Sequence, residues 1–283
     1  CIMHQPRGFL SLVGAILTEP CSPEADYGVF YIDALTYQPR CGAGTLSVAK
    51  VLVETGMVKR VEPETKIVLE TPTGLVAVYV KWENHMVASI NLENVPAFLY
   101  RKDLHIDLAG YGDVSVDIGY GGNFFVLADV HSLGLTITKD TVNLLRSLSK
   151  DILAAANKVI KVAHPTNPAI NYLDQVLFCQ NVPEEDGGYL AQCIFGDAQA
   201  DISPCGTGTS TRLAQRYFRG LIGLEETFVQ KSVCGGAFHA KGLRETTLGG
   251  VPAIVPYVSC SDVHITGFNH LIVEENDKLK NGF

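Results

Sequence analysis

The pentapeptide Cys-Gly-Ala-Gly-Thr at positions 41–45 returns as Cys-Gly-Thr-Gly-Thr at 205–209, in the other half of a 283-residue chain. Each copy stands where a loop feeds a helical pattern. After the first, Leu46, Ala49, Val51, Leu52 and Val53 are spaced for a mostly apolar helix over 45–58, closed by Gly56. After the second, a helix is expected from Ser210 to about Leu221. A block repeated at two loop-to-helix junctions implies a duplicated architecture that brings two thiols to one place.

The chemistry of one block follows from its residue types. Glycine lets the backbone approach a ligand closely. First-turn amides have no intrahelical partner and can hold an anion such as a carboxylate. Thr45 and Thr209 can support that turn through their hydroxyls. A helix start also favours thiolate over thiol, lowering a free-cysteine pKa from about 8.5. A single block reads most simply as a small-residue helix entry with a buried cysteine. Two facing blocks supply a base, an acid and a cradle, which is the equipment for removing a proton from one face of a carbon and returning it to the other. Neither block completes the dinucleotide fingerprint or the eight-residue phosphate loop.

Elsewhere the pattern alternates between strand and helix. Leu12–Leu17 and Tyr27–Ile32 flank a turn at Glu19-Pro20-Cys21-Ser22-Pro23; Lys66–Glu70 and Leu75–Val80 read as a hairpin. Val114–Ile118 and Phe124–Asp129 pair around Gly121-Gly122-Asn123, where adjacent glycines and Asn suit a turn. A helix is expected over 141–162, with Val142, Leu145, Leu148, Ile152, Leu153 and Ala156 on its apolar side. Strands follow at Gln175–Cys179, Tyr189–Gly196, Val251–Tyr257 and Leu271–Val273. With no Pro/Gly/Ser-rich linker, the chain reads as an α+β protein of two similar halves, residues 1–133 plus 265–283 and residues 134–264.

Composition excludes several classes. Hydrophobic residues make up 47%, yet the longest apolar runs are strand-length and too short to span a bilayer, so no membrane association is expected. A formal charge of −8 without a dense Lys/Arg run argues against nucleic acid as a partner. Eight scattered cysteines in a chain this long read as free thiols of a cytoplasmic protein, and no Cys-x-x-Cys or His-x₃-His pair offers structural-zinc spacing. Cys179, Cys193, Cys234 and Cys260 lie in apolar strand contexts and read as core. His164 reads as a helix-terminus or surface residue, and His239 and His264 as strand residues. The chain begins at Cys1 within a structured pattern, so a preceding segment is expected.

Several stretches together resemble the proline racemase family, which includes hydroxyproline 2-epimerases and trans-3-hydroxyproline dehydratases. They are Pro6-Arg7-Gly8 leading to Gly14-Ala15, the Cys41 block, Val116-Asp117-Ile118-Gly119-Tyr120-Gly121-Gly122-Asn123, Asp201-Ile202-Ser203-Pro204-Cys205-Gly206-Thr207-Gly208-Thr209, Ile265-Thr266-Gly267 and Gly282-Phe283. The resemblance implies a diaminopimelate epimerase-like fold, two pseudo-symmetric halves each wrapping strands around a central helix, with the site between them. It implies a homodimer acting on a small molecule, proline or a hydroxyproline, with no pyridoxal phosphate, metal or nicotinamide. It makes Cys41 and Cys205 the acid/base pair. Gly42, Ala43, Gly206 and Thr207 would be carboxylate donors, and Asp201 the holder of the ring nitrogen. Two departures stand out: most relatives carry histidine where this chain has Ala43, and many where it has Phe9. Relatives specialised as dehydratases often carry threonine at the position of Cys205.

Overall fold

The computed structural model describes residues 2–9, 11–38, 40–181 and 188–282; Cys1 and Phe283, the latter part of the terminal motif, lie outside them. The chain divides into two compact units, Cys1–Ile90 with Ser261–Phe283, and Asn91–Cys260.

In the first unit the strands β1 (Gly14–Thr18), β2 (Tyr27–Ile32) and β3 (Tyr37–Gln38) precede helix α1 (Gly42–Glu54). After it come β4 (Glu64–Thr71), β5 (Gly74–Glu83) and β6 (Met86–Glu93), the last running past the unit boundary. Their order is β1-β2-β4-β5-β6, with β3 on β2 and β2 parallel to β4. Alternation along β4 and β5 turns Ile67, Leu69, Val76, Val78 and Val80 inward, and the register sets Ile67 beside Val78 and Leu69 beside Val76. Helix α1 packs on β1 and β5 through Leu46, Ala49, Leu52 and Val53, as its spacing requires. Asn84 and His85 close the β5–β6 turn, both with positive φ, the backbone of a two-residue hairpin.

The second unit begins with β7 (Phe98–Leu108), β8 (Gly112–Tyr120) and β9 (Phe124–Asp129), then α2 (Val142–Val159). It continues with β10 (Gln175–Asn181), β11 (Gly188–Phe195), β12 (Gln199–Ala200), α3 (Gly206–Phe218), β13 (Phe228–Ser232), β14 (Ala237–Leu248) and β15 (Val251–Cys260). The strand order is β7-β8-β9-β10-β11-β13-β14-β15, with β12 on β11 and parallel pairs at β9–β10 and β11–β13. Phe124 to Ala128 are all buried, as befits a central strand covered on both faces. Helix α2 packs on β7, β10 and β11 through Leu145, Leu148, Ile152 and Ala156, while Val142 and Leu153 are only partly buried.

Three sequence expectations shift. A boundary at 133/134 would fall between β9 and β10, which are hydrogen-bonded in register from Gln175–Phe125 to Cys179–Asp129; the compact units divide at 90/91 instead. The C-terminal segment from Ser261 groups with the first unit. Both block helices start earlier than expected, at Gly42 and Gly206, because each cysteine is itself the N-cap. Leu271–Val273 is exposed and forms no strand. No helix among the described residues is long and apolar enough to cross a membrane.

Candidate active site

Both cysteine sulfurs cap their helices in the same way. The Gly44 N–H donates to Cys41 Sγ at 3.3 Å, and the Gly208 N–H donates to Cys205 Sγ at 3.3 Å. Each sulfur thus caps the third amide of its helix. The fourth, on Thr45 or Thr209, enters the helical ladder by bonding the cysteine carbonyl, at 2.9 and 2.7 Å. The amides left without an intrahelical partner belong to Gly42 and Ala43 in the first block, and to Gly206 and Thr207 in the second. Those are the four expected carboxylate donors.

The threonines tie each block to its own sheet. Thr45 Oγ1 donates to the Cys41 carbonyl at 2.7 Å, so its hydrogen is committed and the Tyr31 hydroxyl must donate to it, at 2.6 Å. Burial pushes the Tyr31 hydroxyl well above its ordinary range, and it stays a neutral donor. In the second block Thr209 Oγ1 donates to the Pro204 carbonyl, and Gln230 Nε2 donates to both Thr209 Oγ1 (2.9 Å) and Pro204 O (2.8 Å). A residue of β2 braces one block and a residue of β13 the other.

The blocks are nonetheless unequal. Cys41 is half-buried in extended backbone, φ −139°; behind it the buried Arg40 donates to Thr73 Oγ1 at 3.2 Å. Cys205 is 6% exposed and sits at φ +64°, a conformation L-residues rarely adopt. Its sulfur lies 3.7 Å from Thr207 Oγ1 and in a cluster with Cys193 and Asp201, whose ligand-type atoms all lie within 4.8 Å of one another. The Ser203 N–H donates to Asp201 Oδ1 (2.8 Å), and the Cys205 N–H to Ser203 Oγ (3.0 Å). Burial pushes the half-buried Asp201 carboxyl up, against the pull of its Ser203 and Cys205 partners. A hydrogen bond with Cys205, reinforced by burial, holds the Cys193 thiol well above its ordinary value.

The first turns of α3 are polar in sequence yet buried from Gly206 to Ala214. Their hydroxyls turn back on the helix: Ser210 Oγ donates to Gly206 O (3.0 Å) and Thr211 Oγ1 to Thr207 O (2.8 Å). The β8–β9 turn lies against them so closely that a Cβ on Gly121 would stand 2.5 Å from Thr207 O. Asn94 Nδ2 clamps the same place, donating to Gly121 O (2.9 Å) and Ser210 Oγ (2.8 Å). The Gly-Gly-Asn motif therefore serves α3 as well as the turn.

Cys41, Gly42 and Ala43 thus come together in the first unit, and Asp201, Cys205, Gly206 and Thr207 in the second. Sequence reasoning missed Cys193, which alternation along β11 marks only as core, and the bracing roles of Tyr31 and Gln230. Cys234 is exposed in the β13–β14 turn rather than core, while Cys179 and Cys260 are buried as expected. His164 accepts from the N–H groups of Thr166 and Asn167 and packs on Tyr120, so it is structural. His239 and His264 are exposed, and Phe9 is 56% exposed. A cavity of about 260 Å³ opens on another flank of α3, among Asp103, Asp117, Arg212 and Arg219, and none of the expected site residues lines it.

The whole sequence, residues 1–283, matches the family described as proline racemase. The chain belongs to the proline racemase family. It is 38% identical over 283 residues to a trans-3-hydroxy-L-proline dehydratase of Burkholderia cenocepacia (strain HI2424), covering all of this chain and 84% of that protein. It is equally similar, 38% over 283 residues with the same coverage, to a proline racemase of Acetoanaerobium sticklandii. Its fold resembles the crystal structure of a hydroxyproline epimerase from Agrobacterium vitis with bound trans-4-hydroxy-L-proline. That match has a TM-score of 0.92 and 29% identity, and covers 100% of this chain and 80% of that one. The α+β architecture is therefore that of proline racemase family members.

Proposed function

We propose that the protein inverts Cα of proline or a hydroxyproline without a cofactor, using Cys41 and Cys205 as the acid/base pair. The observation that carries this reading is the shared cap: two thiols, each receiving a glycine N–H at 3.3 Å, each beside two first-turn amides with no helical partner. One sulfur, as thiolate, takes the Cα proton, and the other, as thiol, protonates the opposite face; the reverse reaction exchanges the roles. The amides of Gly42, Ala43, Gly206 and Thr207 hold the substrate carboxylate and stabilise charge that spreads onto it, at a worth of about 10²–10³ in rate per donor in comparable sites. Asp201, set beside Cys205 by Ser203, accepts from the ring nitrogen. Ala43 offers no side-chain donor near that nitrogen, which favours a substrate that needs none there. The protein works as a cytoplasmic homodimer.

Incubation with proline, trans-4-hydroxyproline and trans-3-hydroxyproline in heavy water tests this. Deuterium at Cα with interconversion of stereoisomers is the expected result, and Cys41→Ser or Cys205→Ser should each abolish it. Near-normal racemisation in either variant sinks the two-thiol mechanism. A second reading, elimination of water from trans-3-hydroxyproline, is favoured by relatives carrying that name at 37–38% identity. Retention of Cys205 weighs against it; a pyrroline-carboxylate product without stereoisomer interconversion would establish it instead.

A further inference from the structure

Cys193 has no task in the inversion reaction, yet its thiol is held against Cys205. It comes from β11 (Gly188–Phe195) and is fixed by hydrogen bonds to its own backbone. The Asp201 N–H donates to the Cys193 carbonyl at 3.0 Å, and Gln192 Nε2 donates to the carbonyls of both Cys193 (3.0 Å) and Asp201 (2.8 Å). Strand pairing between β11 and β12 sets these two residues side by side, with Ile194 opposite Ala200. The third member, Cys205, is fixed by Ser203 Oγ at its backbone and by the Gly208 N–H at its sulfur.

We propose that Cys193, Asp201 and Cys205 form a binding site for a thiophilic divalent cation, zinc above all, whose occupancy blocks turnover. Two thiolates and a carboxylate are a donor set that zinc accepts, with a fourth position for water. In a tetrahedral site with Zn–S of about 2.3 Å the ligand atoms stand roughly 3.5–3.8 Å apart. Here they already lie within 4.8 Å of one another, so closure around an ion needs movements of about 1 Å or less. The supporting hydrogen bonds are those such a site uses: an N–H on a sulfur from Gly208, and an N–H on one carboxylate oxygen from Ser203. Charge also fits. Three anionic ligands exceed the ion by one negative charge, and the α3 N-terminus offsets about half of it. A bound ion removes the lone pair of Cys205 from acid/base use. That inhibition rests on the reading of Cys205 as an acid/base group, but binding does not.

The test is a titration of the full chain with Co²⁺ and then Zn²⁺, under a phosphine reductant that keeps thiols reduced. One equivalent of Co²⁺ should produce thiolate-to-cobalt charge-transfer absorption, and Zn²⁺ should displace it. Cys193→Val should remove that absorption and weaken zinc binding by at least about 10-fold, whereas Cys41→Ser should keep it. Asp201→Asn, which retains both thiols, should keep the absorption at reduced affinity. Absence of the band in the folded wild type, its persistence in Cys193→Val, or its loss in Cys41→Ser each overturns the site. In parallel, zinc should inhibit Cα exchange reversibly to chelator. A protein that binds cobalt as stated but exchanges no substrate proton refutes the isomerase reading and leaves the metal site standing.

Discussion

Gly44 and Gly208, the second glycine of each block, set where the sulfurs lie. A Cβ added at Gly44 would stand 2.9 Å from the Tyr31 ring and 3.2 Å from Cys41 Sγ; at Gly208 it would stand 3.0 Å from both Cys205 Sγ and Leu177 Cδ1. Each sulfur would have to yield by a few tenths of an ångström while losing part of its hydrogen bond. Misplacement of a reacting group by about 1 Å costs on the order of 10²-fold in rate. Gly44→Ala and Gly208→Ala are therefore each predicted to lower the turnover of Cα proton exchange by about 10-fold, with KM moving less and far-UV circular dichroism retained. Wild-type turnover in either variant would show that the glycine does not position the thiol. The backbone at Cys205 follows another logic. A non-glycine residue at φ +64° costs on the order of 1–3 kcal/mol, and a good cap returns about 1 kcal/mol, so the cap alone does not hold it. The remainder comes from Ser203 on the Cys205 amide and Gln230 on the preceding carbonyl. The motif made the glycines legible in the sequence; the strain was not, because cysteine carries no signature of positive φ.

Helix α3 is the element on which the second block depends, and it is pinned at both ends. At its start are Asn94 and the Gly121 turn. At its end Asp117 of β8 accepts from Arg219 Nε (2.8 Å) and Nη2 (2.6 Å), from Gln215 Nε2 (2.7 Å) and from the Asp103 N–H (2.8 Å). Burial alone would push the Asp117 carboxyl up, but these donors outweigh it and leave it below the ordinary carboxylate value. A carboxyl lowered in the folded state contributes stability that is present above its unfolded value, about 3.9, and is lost as pH falls through the folded one. Asp117→Asn should thus destabilise the protein by about 2–3 kcal/mol at pH 7, leaving Arg219 with Asp103 but without its buried counter-charge. That difference from wild type should shrink below about pH 4. Denaturant unfolding at pH 7 and pH 3.5 checks both statements; an equal difference at the two values would mean the ionised carboxyl is not the source. Apolar spacing gave away α1 and α2, but the first turn of α3, Gly206-Thr207-Gly208-Thr209, reads as loop, with helix expected only from Ser210. Its helical state is set by hydroxyls bonding back to the helix and by Asn94, which lies more than a hundred residues away in sequence.

Across the chain, the pairing β9–β10 could not be read from periodicity, since a parallel neighbour leaves no turn signal, and this moved the division of the chain to 90/91. The C-terminal segment shows the converse. Its apolar run Leu271-Ile272-Val273 suggests a strand, yet residues 261–282 contain none and belong to the first unit, the chain leaving that unit at Ile90 and coming back at Ser261. What holds them is a small set of contacts with the N-terminal turns. Arg7 pairs with Asp277 and donates to the Leu279 carbonyl at 2.8 Å, and the Leu279 N–H donates to Asp277 Oδ1 at 2.8 Å. Gly282, at φ +92°, lies so close to His4 that an added Cβ would come within 2.5 Å. The N-terminal turns in turn cover the first unit's sheet: Met3 is buried, and its sulfur would lie 3.1 Å from a Cβ at Gly14 of β1. Removal of residues 261–283 should therefore propagate along this line and no other. In hydrogen–deuterium exchange the truncated chain is predicted to lose protection in residues 3–18 and in β2, while β8, β9, β10 and β11 keep theirs, because no contact in that chain of support reaches them. Equal loss of protection in the second unit, or undiminished protection in β1 and β2, would refute the assignment of the C-terminal segment as the first unit's support.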